Sequence, residues 1–551
     1  MKKLLLLVLS VSLYSSPSGE KNIVGKVEIH REGKDTLIHH QGKKAVIEWD
    51  SFSIGKNEHT KFLQATKDSS VLNRVVGNNP SEIFGKLSSN GKVYLLNQNG
   101  ILIGKDAIID TRSFIASALN LSNQCFLEEE NFSFEGKSDS SVVNLGKIIA
   151  EKEIFLIARV VENKGSLKAT ETVGLAGGEI LLKEGSQNRV YIKPNTRGRV
   201  SNKGIIQSAS IELQAAGGNT YSLAVNHEGL IDATKTEERN GRVLLKAETG
   251  TTKVSGKILA HKNVHILGEK VSIEKGCIDV SSEDKAGEIL IGGDYQGNNP
   301  DIPNAKITYV DKESKLLSNG LENGDGGKVI LWGDESTSFF GTAEAMGGEF
   351  AGDGGLVEVS SKMDLLYGGE VTAKAPFGKA GLILFDPSDI TISAGPISGD
   401  AFTTPIYNPT AATNVILASA VASALGGGSD VTIRTSAGAG GTTSGNVTIS
   451  SDIVWSTANI FTVEADRNIT VTSKIENTNA TTSATEVIIL DANFLGSAAS
   501  TGSFYGVNLT GAGAIIKTAG YSIGINGKGC IGGSTLKRGV YRKNRSSVET
   551  V

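Results

Sequence analysis

The sequence predicts an all-β fold, a parallel β-helix or β-solenoid, on the strength of internal repetition, strand-like local patterns and glycine content. Elements of the form Asn-x-Gly-x-apolar-x-small recur as Asn144-Leu-Gly-Lys-Ile-Ile-Ala150, Asn163-Lys-Gly-Ser-Leu-Lys-Ala169 and Asn202-Lys-Gly-Ile-Ile-Gln-Ser208. Looser copies occupy 226–233, 254–260 and 274–280. Their glycines, at 146, 165, 204, 229, 256 and 276, are separated by 19, 39, 25, 27 and 20 residues. Taking the longest gap as two steps, the period is about 20 to 27 residues, the range of repeat architectures. Between these elements lie short apolar-rich stretches such as Val243–Ala247, Val264–Leu267 and Val329–Trp332, which favour strand over helix. Glycine is 67 of 551 residues, about 12% against a usual ~7%, while proline is only 10.

Each feature has a place in a solenoid. One period holds two or three short strands, and each coil hydrogen-bonds to the next at ~4.8 Å because it cannot bury its inner face alone. Asparagine and glycine suit the corners, where both tolerate left-handed backbone. From Gly19 to Pro387 some 15 coils are expected, stacked into a rod of roughly 70 Å. Val415–Leu425 is the one stretch with a helical pattern.

The first 18 residues read as a Sec signal peptide. Lys2 and Lys3 form the charged region, Leu4–Leu13 the apolar region, and Ser16 and Ser18 place cleavage before Gly19. The apolar run is too short for a bilayer, which needs about 20 residues. The Sec translocon is therefore an expected partner. Net charge is −4, without the basic domain of a nucleic-acid binder. Cys125, Cys277 and Cys530 lack the spacing of a zinc or redox site.

Composition changes after Asp386-Pro387. Residues 391–520 carry 12 charged residues in 130, with Thr, Ser, Ala and Gly dominant, yet strand-like pieces persist at 430–434, 446–449, 468–472 and 486–490. These read as further coils rather than disorder. The expected organisation is thus a signal peptide at 1–18, a first module at 19–150, β-helix repeats at 151–387, low-charge repeats at 388–527 and a basic tail at 528–551.

Catalytic and ligand motifs fail one by one. Gly136-Lys137-Ser138 lacks the earlier glycine of a phosphate loop, where Asn131 stands. Asp325-Gly-Gly and Asp353-Gly-Gly lack the spacing of calcium-binding repeats. His39 and His40 point to opposite faces of a strand and fit a solvated strand or loop. No nucleophile elbow or zinc-protease helix is present. The expectation is a non-enzyme without cofactor or metal. The rival is a polysaccharide lyase or glycosidase with carboxylates from Asp279, Asp294 or Glu358 converging across coils.

Residues 22–120 carry five ordered runs: Ala45-Val-Ile-Glu-Trp-Asp-Ser-Phe-Ser-Ile-Gly55, Val71-Leu-Asn-Arg-Val-Val-Gly77, Pro80–Leu87, Asn90-Gly-Lys-Val-Tyr-Leu-Leu-Asn-Gln-Asn-Gly-Ile101 and Gly104–Leu119. This region resembles the haemagglutination-activity domain of filamentous-haemagglutinin-type, two-partner secretion exoproteins. Looser likeness runs through Gly287–Gln296, Gly324–Trp332, Gly352–Ser360 and Gly381–Pro387.

The resemblance implies a right-handed, single-stranded, pectin-lyase-like rod with an N-terminal cap, recognised in the periplasm by an outer-membrane Omp85-type transporter. It also implies an adhesin-like role, secreted or displayed, toward a host-cell or neighbouring-cell surface. A truncated stalk of a contact-dependent toxin is a further alternative. The family's Asn-Pro-Asn-Gly motif maps onto Asn97, Gln98, Asn99 and Gly100, followed by Ile101, with glutamine in place of proline. Glu48 replaces a frequent asparagine. Asn73, Arg74, Asn97, Asn99 and Gly100 serve either transporter contact or the corners of the helix. Trp49 and Phe52 read as cap and core packing.

Overall fold

Parallel backbone ladders dominate the computed structural model, which describes residues 16–186, 188–233, 241–395, 414–435, 445–495, 505–528, 540–543 and 547–550. Most of the expected signal peptide, Cys530 and the tail residues Lys537, Arg538 and Arg545 lie outside the described residues. The chain divides into two compact units, Met1–Gly218 and Asn219–Val551.

In the N-terminal unit each coil contributes to three ladders. The first stacks Asp35–His40, His59–Gln64 and Lys86–Ser89, and continues through Lys147–Ala150 to Ile205–Gln207. The second runs from Lys44–Trp49 through Ser70–Val75, Lys92–Asn97, Glu153–Ala158 and Thr172–Gly177 to Ser210–Ala215. The third joins Ser81–Ile83, Ile101–Ile103, Ser141–Asn144, Val160–Asn163 and Arg199–Asn202. At the start, Lys21–Glu32 pairs antiparallel with Asp35–Trp49 and covers the first edge.

Second-ladder strands here are buried along almost their whole length, as in Thr172–Gly177. A strand reads as a continuous apolar run when both its faces are covered. The inward side chains fill the coil. The outward ones, including Val46, Leu72, Tyr94, Ile115 and Phe155, form a second core with the helix Asn123–Glu128 and an antiparallel sheet of Phe132–Phe134, Ile180–Leu182 and Val190–Ile192. This outer layer is absent from the sequence reading. It also corrects the period: Asn163 pairs directly with Asn202, so the 39-residue gap is one coil carrying an insertion, not two coils.

The repeated Asn-x-Gly has a clear cause. Asn144, Asn163 and Asn202 are fully buried and stacked, with Nδ2 of Asn144 donating to Asn163 at 2.8 Å and Nδ2 of Asn163 donating to Asn202 at 2.7 Å. Two residues on, glycines sit directly above one another. A Cβ on Gly165 would lie 2.1 Å from the carbonyl oxygen of Gly146, and one on Gly204 equally close to that of Gly165.

The C-terminal unit is built from ladders of the same kind with different corner residues. Stacked inward positions there run His227, Val254, Ile273, Val310, Phe339 and Tyr367, so Asn226 faces outward and donates to Glu228. The helix Ala418–Gly426 packs between Glu370–Thr372 and Ile453–Trp455. Parallel strands continue past residue 387 through Asp430–Thr435, Phe461–Ala465, Glu486–Ala492 and Ser522–Gly527, so the low-charge segment is coiled where described. Before residue 387 the described residues give seven second-ladder strands in the N-terminal unit and six in the C-terminal unit, against about 15 coils expected, because insertions lengthen some coils. His40 is another correction: at 2% exposure it is buried, and burial lowers its pKa, favouring the neutral ring.

Gly165→Ala is expected to destabilise the N-terminal unit by about 1–3 kcal/mol through overpacking. Lys168→Ala, on the exposed side of the adjoining strand, is expected to leave it unchanged. Thermal melts of the two variants check this.

Candidate secretion-recognition site

The candidate residues occupy corners on neighbouring coils of the N-terminal unit. Trp49 is fully buried, stands edge-on to buried Phe52 at 5.4 Å, and donates its indole N–H to Oδ1 of Asn73 at 3.0 Å. Nδ2 of Asn73 donates in turn to the Tyr94 carbonyl at 3.1 Å. A buried amide must be satisfied, so Asn73 exists to close the coil below and the coil above.

Residues 97–100 form a tight turn in which the Gly100 N–H donates to the Asn97 carbonyl at 3.0 Å. Neither Gln98 nor Asn99 has positive φ, as a type I turn requires, and Gly100 follows at φ +106°. Asn97, 1% exposed, accepts from the Asn99 N–H and donates to Asn79 and Ser81. Asn99 donates to Gly77 O at 2.8 Å, tying this turn to the coil below. The carbonyl of Gln98 accepts from Ser138 at 2.5 Å. Ile101 is buried and pairs with Ser81 and Val142. Only the side chains of Gln98 and Asn99 face solvent.

Arg74 joins the corner to the outer layer. Its guanidinium donates to Asn120 Oδ1, to the Leu121 carbonyl at 2.6 Å and to Asn123 Oδ1 at 2.8 Å. Burial pulls its pKa below the ordinary value, opposed by Glu48, which lies beside it in register. The second departure from the family pattern thus places a carboxylate next to a half-buried cation. Asn120 and Asn123 went unnoticed in sequence because their role depends on a contact nearly 50 residues away.

The carboxylates of the enzymatic rival are engaged within the fold, Asp294 accepting from the Tyr295 N–H and from Nδ2 of Asn299, each at 2.7 Å. Asp279 lies on a different ladder from Glu358 and accepts the Ser281 N–H. Glu358 is fully buried on the outward side of its strand, under the segment 294–304, and accepts the Gln296 N–H at 3.1 Å. The Gln296 side chain donates to Asp386 at 2.7 Å. Burial pushes the Glu358 carboxyl up to about 8, against hydrogen bonds from Ser360 and Gln296 and with the charges of Asp386 and Asp294 adding to the rise. No cluster of three or more metal-ligating side chains occurs among the described residues.

The N-terminal unit is thus a capped parallel solenoid whose corners are held by buried asparagines. The TPS secretion domain model matches residues 15–260. Two heme/hemopexin-binding proteins of Haemophilus influenzae are each 32% identical to this chain, over 255 and 263 residues. The matches cover 42% of this chain and 27% and 28% of those proteins, so the chain spans little more than a quarter of their length. The crystal structure of the HMW1 secretion domain from Haemophilus influenzae is 29% identical with a TM-score of 0.58, covering 66% of this chain and all of that one. The N-terminal part of the chain is thus similar to TPS secretion domains.

Two outcomes are expected. Gln98→Pro fits the second position of a type I turn and should stabilise the unit by about 0.4–1 kcal/mol, seen as a raised denaturation midpoint. Glu358, with its folded pKa raised from 4.5 to about 8, favours the folded state most below pH 4.5. That contribution is lost as pH rises through about 8, by up to about 1.4 kcal/mol per unit. Melting curves from pH 4 to 9 should show this decline, and Glu358→Gln should flatten it.

Proposed function

We propose that this chain is an exoprotein that the Sec translocon delivers to the periplasm, with loss of residues 1–18, and that an Omp85-type transporter moves across the outer membrane. It then acts, displayed or released, as an adhesin-like solenoid toward a host-cell or neighbouring-cell surface, not as an enzyme. Residues 19–150 hold the contacts read by the transporter. Residues 151–387 and 388–527 supply right-handed coils, and 528–551 a basic tail. The match of residues 15–260 to the TPS model carries this reading. The buried state of Glu358 speaks against the glycosidase alternative, since an acid sealed from solvent meets no glycan.

Recognition and shape divide between exposed and buried members of one turn. Gln98 and Asn99 offer side chains to the transporter, while Asn73, Asn97, Gly100 and Ile101 hold the turn that presents them. Trp49, Phe52 and Arg74 anchor it to the core. A second reading, capture of heme or hemopexin, is favoured by the 32% likeness to the Haemophilus proteins. A heme absorption titration of the purified chain separates the two.

Deleting the paired transporter gene should keep the chain from the medium and the cell surface, and undiminished export in that strain would refute the route. Gln98→Ala should lower secretion without changing the melting temperature. Asn97→Ala should lower both.

A further inference from the structure

The strand Lys21–Glu32 covers the first coil but leaves an edge of its own. It is joined to its partner, Asp35–Trp49, by the turn Gly33-Lys34, with Gly33 at φ +57° as a type II′ hairpin requires. Glu32 and Asp35 flank that turn as a hydrogen-bonded pair, and the pattern alternates from there. Lys26, Glu28, His30 and Glu32 bond to the first coil, while the N–H and C=O groups of Val27, Ile29 and Arg31 point away from it. Those outward groups have no backbone partner among the described residues. Before Lys26 the register shifts twice, between Asn22 and Val24 and between Val24 and Lys26, so the regular edge runs from Lys26 to Glu32.

The side chains of this edge are sorted by face. Val27 and Ile29 are half-buried, and Arg31, on the same side, donates to the two carboxylate oxygens of Glu20 at 2.8 and 2.7 Å. Lys26, Glu28, His30 and Glu32 are exposed on the other side. Charges on an edge strand ordinarily repel an incoming strand. Here their order makes the edge complementary to itself. Laid antiparallel on a second copy about Ile29, Lys26 meets Glu32 and Glu28 meets His30, all at non-hydrogen-bonded positions, where cross-strand side chains lie closest. Ile29 then meets Ile29 and Val27 meets Arg31 as hydrogen-bonded pairs, which use every outward backbone group from Val27 to Arg31. A parallel, in-register approach would instead set lysine on lysine and glutamate on glutamate.

We propose that this edge joins two copies of the chain, Lys26–Glu32 of each pairing antiparallel about a two-fold axis at Ile29, so that one sheet runs from copy to copy. The contact is isologous and closes after two copies. It forms about six backbone hydrogen bonds and covers the half-buried Val27 and Ile29 of both copies. An axis at Val27 would draw in the irregular stretch at Gly25, whose φ is +89°, and one at Arg31 would draw in the turn. Ile29 is the centre that keeps the whole regular edge paired. An edge contact this short makes a weak dimer that forms with rising concentration.

Self-association of the purified protein does not depend on the export route proposed above. The secreted full chain is followed by sedimentation velocity at rising concentration up to its solubility limit, and a reversible monomer–dimer equilibrium is expected. Lys26→Glu alone and Glu32→Lys alone should each move the midpoint about tenfold higher, because two symmetric contacts change from attraction to repulsion. Lys26→Glu combined with Glu32→Lys should restore it. Melting temperatures of these variants should stay unchanged, since Lys26 and Glu32 form no side-chain ion pair within their own copy among the described residues. Ile29→Pro removes an outward N–H and none that bonds to the first coil, and should abolish the dimer. Dimers indifferent to the single reversals, or not restored by the exchange, would overturn the proposal. So would monomers at every concentration, and lowered secretion of the Ile29→Pro chain would then assign the edge to the transporter instead.

Discussion

Hydrogen bonding between equivalent strands of successive coils is the constraint from which the other features follow. A single coil encloses too little apolar surface to offset the entropy of ordering it, so it is stable only against a neighbour. Strict stacking then places identical backbone positions one strand spacing apart. Where the chain turns sharply at such a position, any side chain meets the carbonyl beneath it. That is why glycine recurs at 146, 165 and 204, and why buried asparagines recur two residues earlier to satisfy one another. The C-terminal unit meets the same demand at its corners with aliphatic and aromatic stacks, which include Phe339 on Tyr367.

The outer layer of the N-terminal unit changes the character of its second ladder. Covering the outward face lets both sides of these strands be apolar, at the cost of burying polar groups where the layer is attached. Those groups are paired. Arg74 reaches Asn120 and Asn123, Lys44 caps the end of the helix at the Phe126 carbonyl, and Arg189 meets Glu153 while Glu212 accepts two backbone N–H groups. The attachment is polar and specific, whereas the filling is apolar and general.

This division explains how much of the molecule was legible in its sequence. Stacked positions repeat, so the solenoid could be read from Asn-x-Gly spacing, and the helix near residue 418 from a local pattern. Insertions do not repeat. The strands at 180–182 and 190–192 look like ordinary coil strands in composition, and only their antiparallel pairing distinguishes them, which made one coil look like two. His40 was misjudged because it shares the buried face of its strand with Thr36 and Ile38. Glu358 lies on the outward side of its strand, where burial depends on whether a distant segment lies across it. At the candidate site, residue types that suit a corner and residue types that suit a partner are the same. Burial alone separates Asn73 and Asn97 from Gln98 and Asn99.

The insertion between Asn163 and Asn202 shows how such a chain can vary. Twenty additional residues enter and leave one coil without altering the register of the strands on either side. Extent along the stacking direction is thus counted in coils, and extent sideways in inserted residues. The two are set by separate parts of the sequence, so surface decoration can be rewritten while the ladder keeps its pitch.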